Sequence, residues 1–379
     1  MLKTFLVPLD GSALADRALP FATTLARADG GKLVLLRVVQ AHTFPDVEPN
    51  PEHVAAIRDA ELELAAMADR VRAEGVDVET RLVRMNYAEA ATAILDAAQR
   101  EQADLIVMST HGRGGLRRWI YGSVADEVLR GSEVPVLLVP SICERGWTPG
   151  RALRILVPLD GSDFAEEALV PASLLAKLLG AELHMLRVAE PPPYPLYGEG
   201  YAYIPFDEHA ARAEAQSYLK QVANLFRPTK RMVKVRAEVG PAALEISRVA
   251  REEEIDLIAM ATHGHGGVAR LVLGSVATSV LQRASVPVFL IRPAAVRRQA
   301  PAPFAPGSER ASELRPAGPL ITLAFSLDDL DLLERGLGEL LYEPGRDGAE
   351  AQAIRELLDR LRHAESIERS STREAIAIG

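Results

Sequence analysis

The chain has 379 residues, 48% hydrophobic and 25% charged, enough for two globular domains and a remainder at the usual ~100–200 residues per domain. Its net charge of −9, from 43 Lys+Arg against 52 Asp+Glu, lacks the basic footprint of a duplex-DNA or anionic-membrane binder, and no apolar run approaches membrane-spanning length. The single cysteine, Cys143, cannot form an intrachain disulfide, and the N-terminus reaches Pro8 and Asp10 before a signal-peptide core forms, so a soluble cytoplasmic protein with no nucleic-acid or membrane partner is expected.

In chain order, Phe5-Leu6-Val7 reads as a buried strand stopped by Pro8, and Asp10-Gly11-Ser12 as a turn in which Ser12 caps a helix. That helix presents Leu14, Ala18, Phe21, Ala22 and Leu25 on one face and ends at Gly30-Gly31. Residues 32–39 form a second buried strand, 40–53 a proline-bearing loop, 54–74 a long helix, and 76–83 a strand whose alternation suits a place near a sheet edge. A helix over 88–102 precedes the apolar strand Asp104-Leu105-Ile106-Val107-Met108. The loop Ser109-Thr110-His111-Gly112-Arg113-Gly114-Gly115 then leads to Gly122 and a helix N-capped by Ser123, and 134–139 closes the unit. This β-α-β-α-β-α-β-α-β order suits right-handed crossovers onto one parallel sheet.

The series then repeats. Ile155-Leu156-Val157-Pro158-Leu159-Asp160-Gly161-Ser162 matches the opening 150 positions on, and Ala261-Thr262-His263-Gly264-His265-Gly266-Gly267 with Gly274-Ser275 matches the loop 152 positions on. The expected organisation is one domain over 1–145, a second over 146–293, a Pro-rich linker over 294–319 and a helical hairpin or tail over 320–379. Residues 190–205, rich in proline and tyrosine, are either a lid or partner-docking loop, or an irregular surface loop. The acidic tail is too small to hold a large core alone, so it docks on the body, pairs with another copy or is mobile; it and 190–205 are the candidate homodimer or signalling-partner surfaces.

A buried strand that runs into small residues and then a Gly-Ser helix start leaves several backbone N–H groups unpaired and aligned, where the helix dipole also favours an anion. Each half therefore carries one candidate phosphate site. Arg113, Arg117 and Arg118 add positive charge in the first; the second has only Arg270 in the matching interval, with His265, so the first site is expected to bind the tighter. His111 and His263 read as loop histidines rather than bases, His263-x-His265 is too sparse for zinc, and no P-loop element is present, so no catalytic or metal residue is assigned.

At Val7-Pro8-Leu9-Asp10-Gly11-Ser12, Ser109-Thr110-His111-Gly112 and Gly122-Ser123 the chain resembles the universal stress protein family. Nucleotide-binding members carry a glycine, two residues, a second glycine, nine residues, then Gly-Ser or Gly-Thr. Gly112 and Gly122 have nine residues between them, as do Gly264 and Gly274, while Ser109 and Ala261 stand at the first glycine. The resemblance spans about residues 1–293 as a tandem pair. It implies an α/β fold of two flavodoxin-like doubly wound five-stranded parallel sheets, adenine nucleotide alpha hydrolase-like, with the final strands meeting edge to edge as a built-in pseudo-dimer, and a small C-terminal helical tail in addition.

It also implies ATP, with Mg2+, at the carboxyl ends of the strands. By carry-over, Pro8, Leu9 and Asp10, with Pro158, Leu159 and Asp160, meet the adenosine end, the aspartates at a ribose hydroxyl. The main chain at Val38 and Val188 meets adenine, and Ser109, Gly112, Arg113, Gly122, Ser123 and Val124, with Ala261, Gly264, His265, Gly274, Ser275 and Val276, meet the phosphates. Asp10 and Asp160 have a plainer reading as turn caps. The implied function is an ATP-binding stress-response switch with little or no turnover; a slow metal-dependent ATPase or nucleotide hydrolase, and a nucleotide-free scaffold working through the C-terminal helices, are the alternatives.

Overall fold

The structure, a computed structural model, describes residues 2–40, 51–85, 90–110, 122–143, 146–147, 151–192, 196–197, 203–204, 206–226, 233–263 and 273–293. Gly112, Arg113, Gly264 and His265, the remaining loop arginines, the linker and the tail lie outside these residues.

In the first repeat, Thr4–Leu9 (β1), Lys32–Gln40 (β2), Asp77–Met85 (β3), Leu105–Ser109 (β4) and Val136–Val139 (β5) lie parallel in the order β3-β2-β1-β4-β5. The helices between them are Leu19–Asp29 (α1, preceded by a 3-10 turn at Ala15–Ala18), Pro51–Ala73 (α2), Ala90–Arg100 (α3) and Ser123–Gly131 (α4). The second repeat begins with Arg154–Leu159 (β6), Asp163–Glu166 (α5), Leu169–Leu179 (α6) and Glu182–Ala189 (β7). Within the proline-tyrosine segment, expected as loop, Leu196–Tyr197 (β8) and Tyr203–Ile204 (β9) form a two-residue antiparallel pair. Glu208–Phe226 (α7), Val233–Val239 (β10), Ala242–Glu252 (α8), Leu257–Ala261 (β11), Ser275–Arg283 (α9) and Val288–Ile291 (β12) complete it. Its strands take the equivalent order, β10-β7-β6-β11-β12.

The two sheets join at β5 and β12, which pair antiparallel with Leu137 opposite Phe289, so ten strands form one continuous sheet. The joint covers one edge of each half, which removes two exposed strand edges. Side chains alternate across the sheet. Phe5, Val7 and Leu9 face α1 and α2 beside Phe21, Leu25, Leu64 and Val71, while Leu6 faces α3 and α4 beside Ile94 and Val128. Helices on both faces explain why the strands read as unbroken apolar runs. The cluster on the first face includes both Leu137 and Phe289, so the hydrophobic interior runs through the joint. Each fully buried side chain of this size stabilises by about 1.5–3 kcal/mol. Trp147, between the repeats, stands edge-on to Phe21 of α1 at 5.0 Å between ring centroids and donates Nε1–H to the Asp256 carbonyl oxygen at 3.1 Å.

One local expectation fails at Pro8, which does not end the first strand. It pairs with Leu36 of β2, and its counterpart Pro158 pairs with Leu186 of β7. On the other side, β1 pairs with β4 only at Phe5 and Leu6, and β6 with β11 only at Ile155 and Leu156. The missing proline N–H thus falls where the ladder on that side has already ended. The divergence of β1 from β4, and of β6 from β11, opens a crevice at the carboxyl ends of the strands. In an order 3-2-1-4-5 this is the point where the connections change direction, and open α/β sheets bind ligands there.

Candidate functional site

Each crevice is walled by the turn after its first strand and the helix start after its fourth. Thr110 N–H donates to the Val139 carbonyl at 3.0 Å, and Gly122 N–H donates to the Thr110 carbonyl at 2.6 Å; in the second repeat Thr262 bonds Ile291 and Gly274 bonds Thr262, both at 2.8 Å. These bonds bring the start of α4 and α9 against the end of β4 and β11. The N-cap residues are Gly122 and Gly274, with φ,ψ of −53°, 152° and −57°, 150°, so Ser123 and Ser275 are the first helical residues and not the caps expected of them. The first helical bonds run from Asp126 to Gly122 and from Thr278 to Gly274. The N–H groups of Ser123 and Val124, and of Ser275 and Val276, therefore precede the ladder and have no acceptor within the helix. The N–H of Gly122 and Gly274 itself goes to a threonine carbonyl. What glycine supplies is close approach, since a Cβ on Gly274 would stand 3.0 Å from the Thr262 oxygen.

Ser109 and Ala261, at the first-glycine position, are the last residues of β4 and β11 and buried. Neither has a positive φ, so the absence of glycine carries no backbone strain. The Ser109 hydroxyl is buried without a hydrogen-bond partner. A buried orphan polar atom calls for an explanation, and a bound ligand is one.

The opposite wall is the Asp10-Gly11-Ser12 turn. Gly11 and Gly161 have φ of +79° and +89°, which only glycine adopts readily. The aspartates do cap these turns: Asp10 Oδ1 accepts from Ser12 N–H at 2.9 Å, and Asp160 Oδ1 accepts from Ser162 N–H at 2.9 Å and from its hydroxyl at 2.6 Å. Ser12 Oγ in turn accepts from Ala15 N–H at 3.1 Å and Ser162 Oγ from Ala165 N–H at 3.2 Å. Leu9 and Leu159 are buried in the core behind the turns, and Val38 and Val188, near the ends of β2 and β7, pack on the opposite face.

The elements bring the described members of each expected set to one end of the sheet, Pro8, Leu9, Asp10, Val38, Ser109, Gly122, Ser123 and Val124 in one repeat and Pro158, Leu159, Asp160, Val188, Ala261, Gly274, Ser275 and Val276 in the other. Sequence reasoning missed Arg37 and Arg187. Arg37 is buried, ion-paired with Glu63 at 3.5 Å, and lies against Gly11 closely enough to leave no room for a Cβ. Arg187 lies against Gly161 and over the Tyr218 ring, 4.6 Å from its centroid. The available signal was an arginine within an apolar strand at the same place in both copies. Burial pushes the Asp16 carboxyl up, with Asp10 and Glu63 adding to this and Arg70 and Arg37 opposing it. No group of His, Cys, Asp and Glu that could hold a metal ion occurs among the described residues, and no described helix is long and apolar enough to cross a membrane.

The sequence model of the Universal stress protein family matches this chain twice, over residues 1–140 and 152–292. Universal stress protein Rv2005c of Mycobacterium tuberculosis is 26% identical over 300 residues, spanning 76% of this chain and 96% of that protein. A Thermus aquaticus universal stress protein is 38% identical over 146 residues, 37% of this chain and 99% of that one. Among solved structures, a universal stress protein from Archaeoglobus fulgidus aligns with a TM-score of 0.57 at 24% identity, over 76% of this chain and 98% of its own, a likeness of fold. With two matched repeats joined in one sheet, the chain belongs to the universal stress protein family as a tandem member.

Proposed function

We propose that each repeat binds an adenine nucleotide, ATP with Mg2+, in its crevice, and that the chain works in the cytoplasm as a nucleotide-dependent stress regulator with little turnover. The observation that carries this reading is the helix start: the N–H groups of Ser123 and Val124, and of Ser275 and Val276, have no acceptor within their helices, and the helix dipole favours an anion there. The orphan Ser109 hydroxyl fits a phosphate oxygen in the first repeat. Asp10 and Asp160 supply acceptors for a ribose hydroxyl across the crevice. The phosphate end offers N–H donors, the loop sequence 113–118 adds three arginines, and among the described residues no base is assigned there, in keeping with binding over hydrolysis. The family resemblance supplies the preference for adenine.

The test is calorimetric titration of Mg-ATP into nucleotide-free protein and into a Gly122→Asp/Gly274→Asp variant with intact folding. The carboxylates would stand where the phosphates go. Binding by the parent that disappears in the variant is expected; a parent that binds no ATP defeats the proposal and favours a scaffold acting through 190–205 or 320–379. Metal-dependent phosphate release at a steady rate would favour the slow-hydrolase alternative.

A further inference from the structure

The two crevices differ at the nucleoside end. In the second repeat a closed ring of contacts surrounds the Asp160 turn. Asp160 holds Ser162, and Ser162 caps α5. Glu166, the last residue of α5, accepts a hydrogen bond from the Tyr218 hydroxyl of α7 at 2.7 Å. The Tyr218 ring carries the Arg187 guanidinium, which lies against Gly161 and returns to the turn. Glu214, one turn earlier on α7, ion-pairs with Arg187 at 4.0 Å. Burial, with the hydrogen bond to Glu166, pushes the Tyr218 phenol up, so it remains a neutral donor across the physiological range.

The first repeat lacks the tyrosine link of this ring, while Arg37 keeps its place against Gly11 and its ion pair with Glu63 at 3.5 Å. Buried positions on α2 and α7 correspond 151 residues apart, Leu64 to Ala215, Ala68 to Leu219 and Val71 to Val222, which puts Met67 where Tyr218 stands. A thioether cannot donate a hydrogen bond. Asp16 stands where Glu166 does, one methylene shorter, and its Oδ1 is buried without a hydrogen-bond partner. Ala15–Ala18 form a 3-10 turn and Asp163–Glu166 a turn of α-helix, although both turns open alike, with Asp16 N–H donating to the Ser12 carbonyl at 3.2 Å and Glu166 N–H to the Ser162 carbonyl at 3.1 Å.

We propose that the second repeat holds the nucleoside end of an adenine nucleotide in a pre-built seat latched by Tyr218, Glu166 and Arg187, and that the first repeat must order its seat on binding. The inference rests on the nucleotide-binding reading above. A seat ordered in advance loses less entropy when the ligand arrives. The difference is largest for AMP, which has no β or γ phosphate to engage the arginine-richer loop of the first repeat. Tyr218 and Arg187 are positioning residues; neither needs to touch the ligand.

Two measurements test this. Hydrogen exchange of ligand-free protein is expected to be slower over 161–168 than over 11–18, and Tyr218→Phe, which keeps the ring and removes the donor, is expected to speed exchange over 161–168. Equal exchange in the two turns, or no effect of Tyr218→Phe, overturns the latch whether or not nucleotide binds. Titration of AMP and ATP into single-site variants, Gly122→Asp to read the second site and Gly274→Asp the first, is expected to show tighter AMP binding at the second, weakened roughly three- to tenfold by Tyr218→Phe. The reciprocal variant Asp16→Glu/Met67→Tyr is expected to strengthen AMP binding at the first site. Equal AMP affinity at both sites, or affinity indifferent to Tyr218→Phe, overturns the inference with the nucleotide reading intact. Absence of all nucleotide binding, with the exchange difference present, defeats the nucleotide reading and leaves the latch a structural feature only.

Discussion

Replacing Gly274 by alanine should destabilise the protein more than the same replacement at Gly122, although the two glycines start equivalent helices. At Gly274 the added Cβ would stand 3.0 Å from the Thr262 carbonyl oxygen and 3.7 Å from His263 Cα; at Gly122 the nearest atom among the described residues, the Thr110 oxygen, is 3.4 Å away. The Thr262 oxygen already accepts the Gly274 N–H at 2.8 Å, so it cannot retreat without lengthening the bond that positions the helix start. Both glycines have ordinary negative φ, so alanine can adopt either backbone. The loss of unfolded-state freedom, about 0.4–1 kcal/mol, and the poorer cap preference of alanine are common to both sites and cancel in the comparison. What remains is one tight contact, at about 1–2 kcal/mol for modest overpacking. The Gly274→Ala protein should therefore melt about 3–6 °C below the Gly122→Ala protein. Scanning calorimetry of the two variants in parallel, free of nucleotide, measures this directly. Equal midpoints, or a lower one for Gly122→Ala, would refute the assignment of Gly274 as a close-approach glycine.

Two further expectations concern the joint and the second repeat. Trp147→Phe should lose about 1 kcal/mol with the hydrogen bond to Asp256, and Trp147→Ala about 2–4 kcal/mol, because the edge-on contact with Phe21 and the half-buried ring go as well; urea denaturation reads both, and an alanine variant as stable as the phenylalanine one refutes the contribution of the ring contact with Phe21. Glu253 accepts from Arg236 Nη1 at 2.9 Å and lies 2.5 Å from His184 Nδ1. Burial pushes its carboxyl up, but the hydrogen bonds from Arg236 and His184 outweigh this and hold it below the ordinary range. Such a depressed group adds stability above its unfolded value of about 4.3 and loses it as pH falls through the lower folded value. Glu253→Gln should thus melt below the parent at pH 7, with the gap closing below about pH 4; a gap that does not change with pH refutes the charge argument.

The joint between the repeats also bears on edge protection. With β5 and β12 paired, the outer strands of the sheet are β3 and β10, whose sequences carry Glu79, Arg81 and Arg84, and Lys234, Arg236 and Glu238. Arg81 pairs with Glu79 and with Glu101, at 2.6 Å from the latter, and Arg236 pairs with Glu238, Glu252 and Glu253. Charged edges of this kind discourage pairing with a further strand.

By itself the sequence determined the duplication, the alternation of strands and helices within each repeat and the place of both helix starts, while the doubly wound arrangement of the strands came from the family resemblance. Those features follow from short-range physics: apolar runs mark strands covered on both faces, and Gly-Ser after a buried strand marks a helix start whose first N–H groups lack acceptors. The meeting of the final strands came from family resemblance, since nothing in the residues 136–139 or 288–291 names its partner. Only the tertiary structure decided that Pro8 and Pro158 stay within their strands, because the tolerance depends on where the neighbouring strand diverges. It also made Gly122 and Gly274 the caps in place of Ser123 and Ser275, through threonine carbonyls twelve positions earlier. The unequal turns have the same origin: Tyr218 and Glu166 are 52 positions apart, and a contact over that distance is set by how α7 lies on β7, which no local pattern encodes.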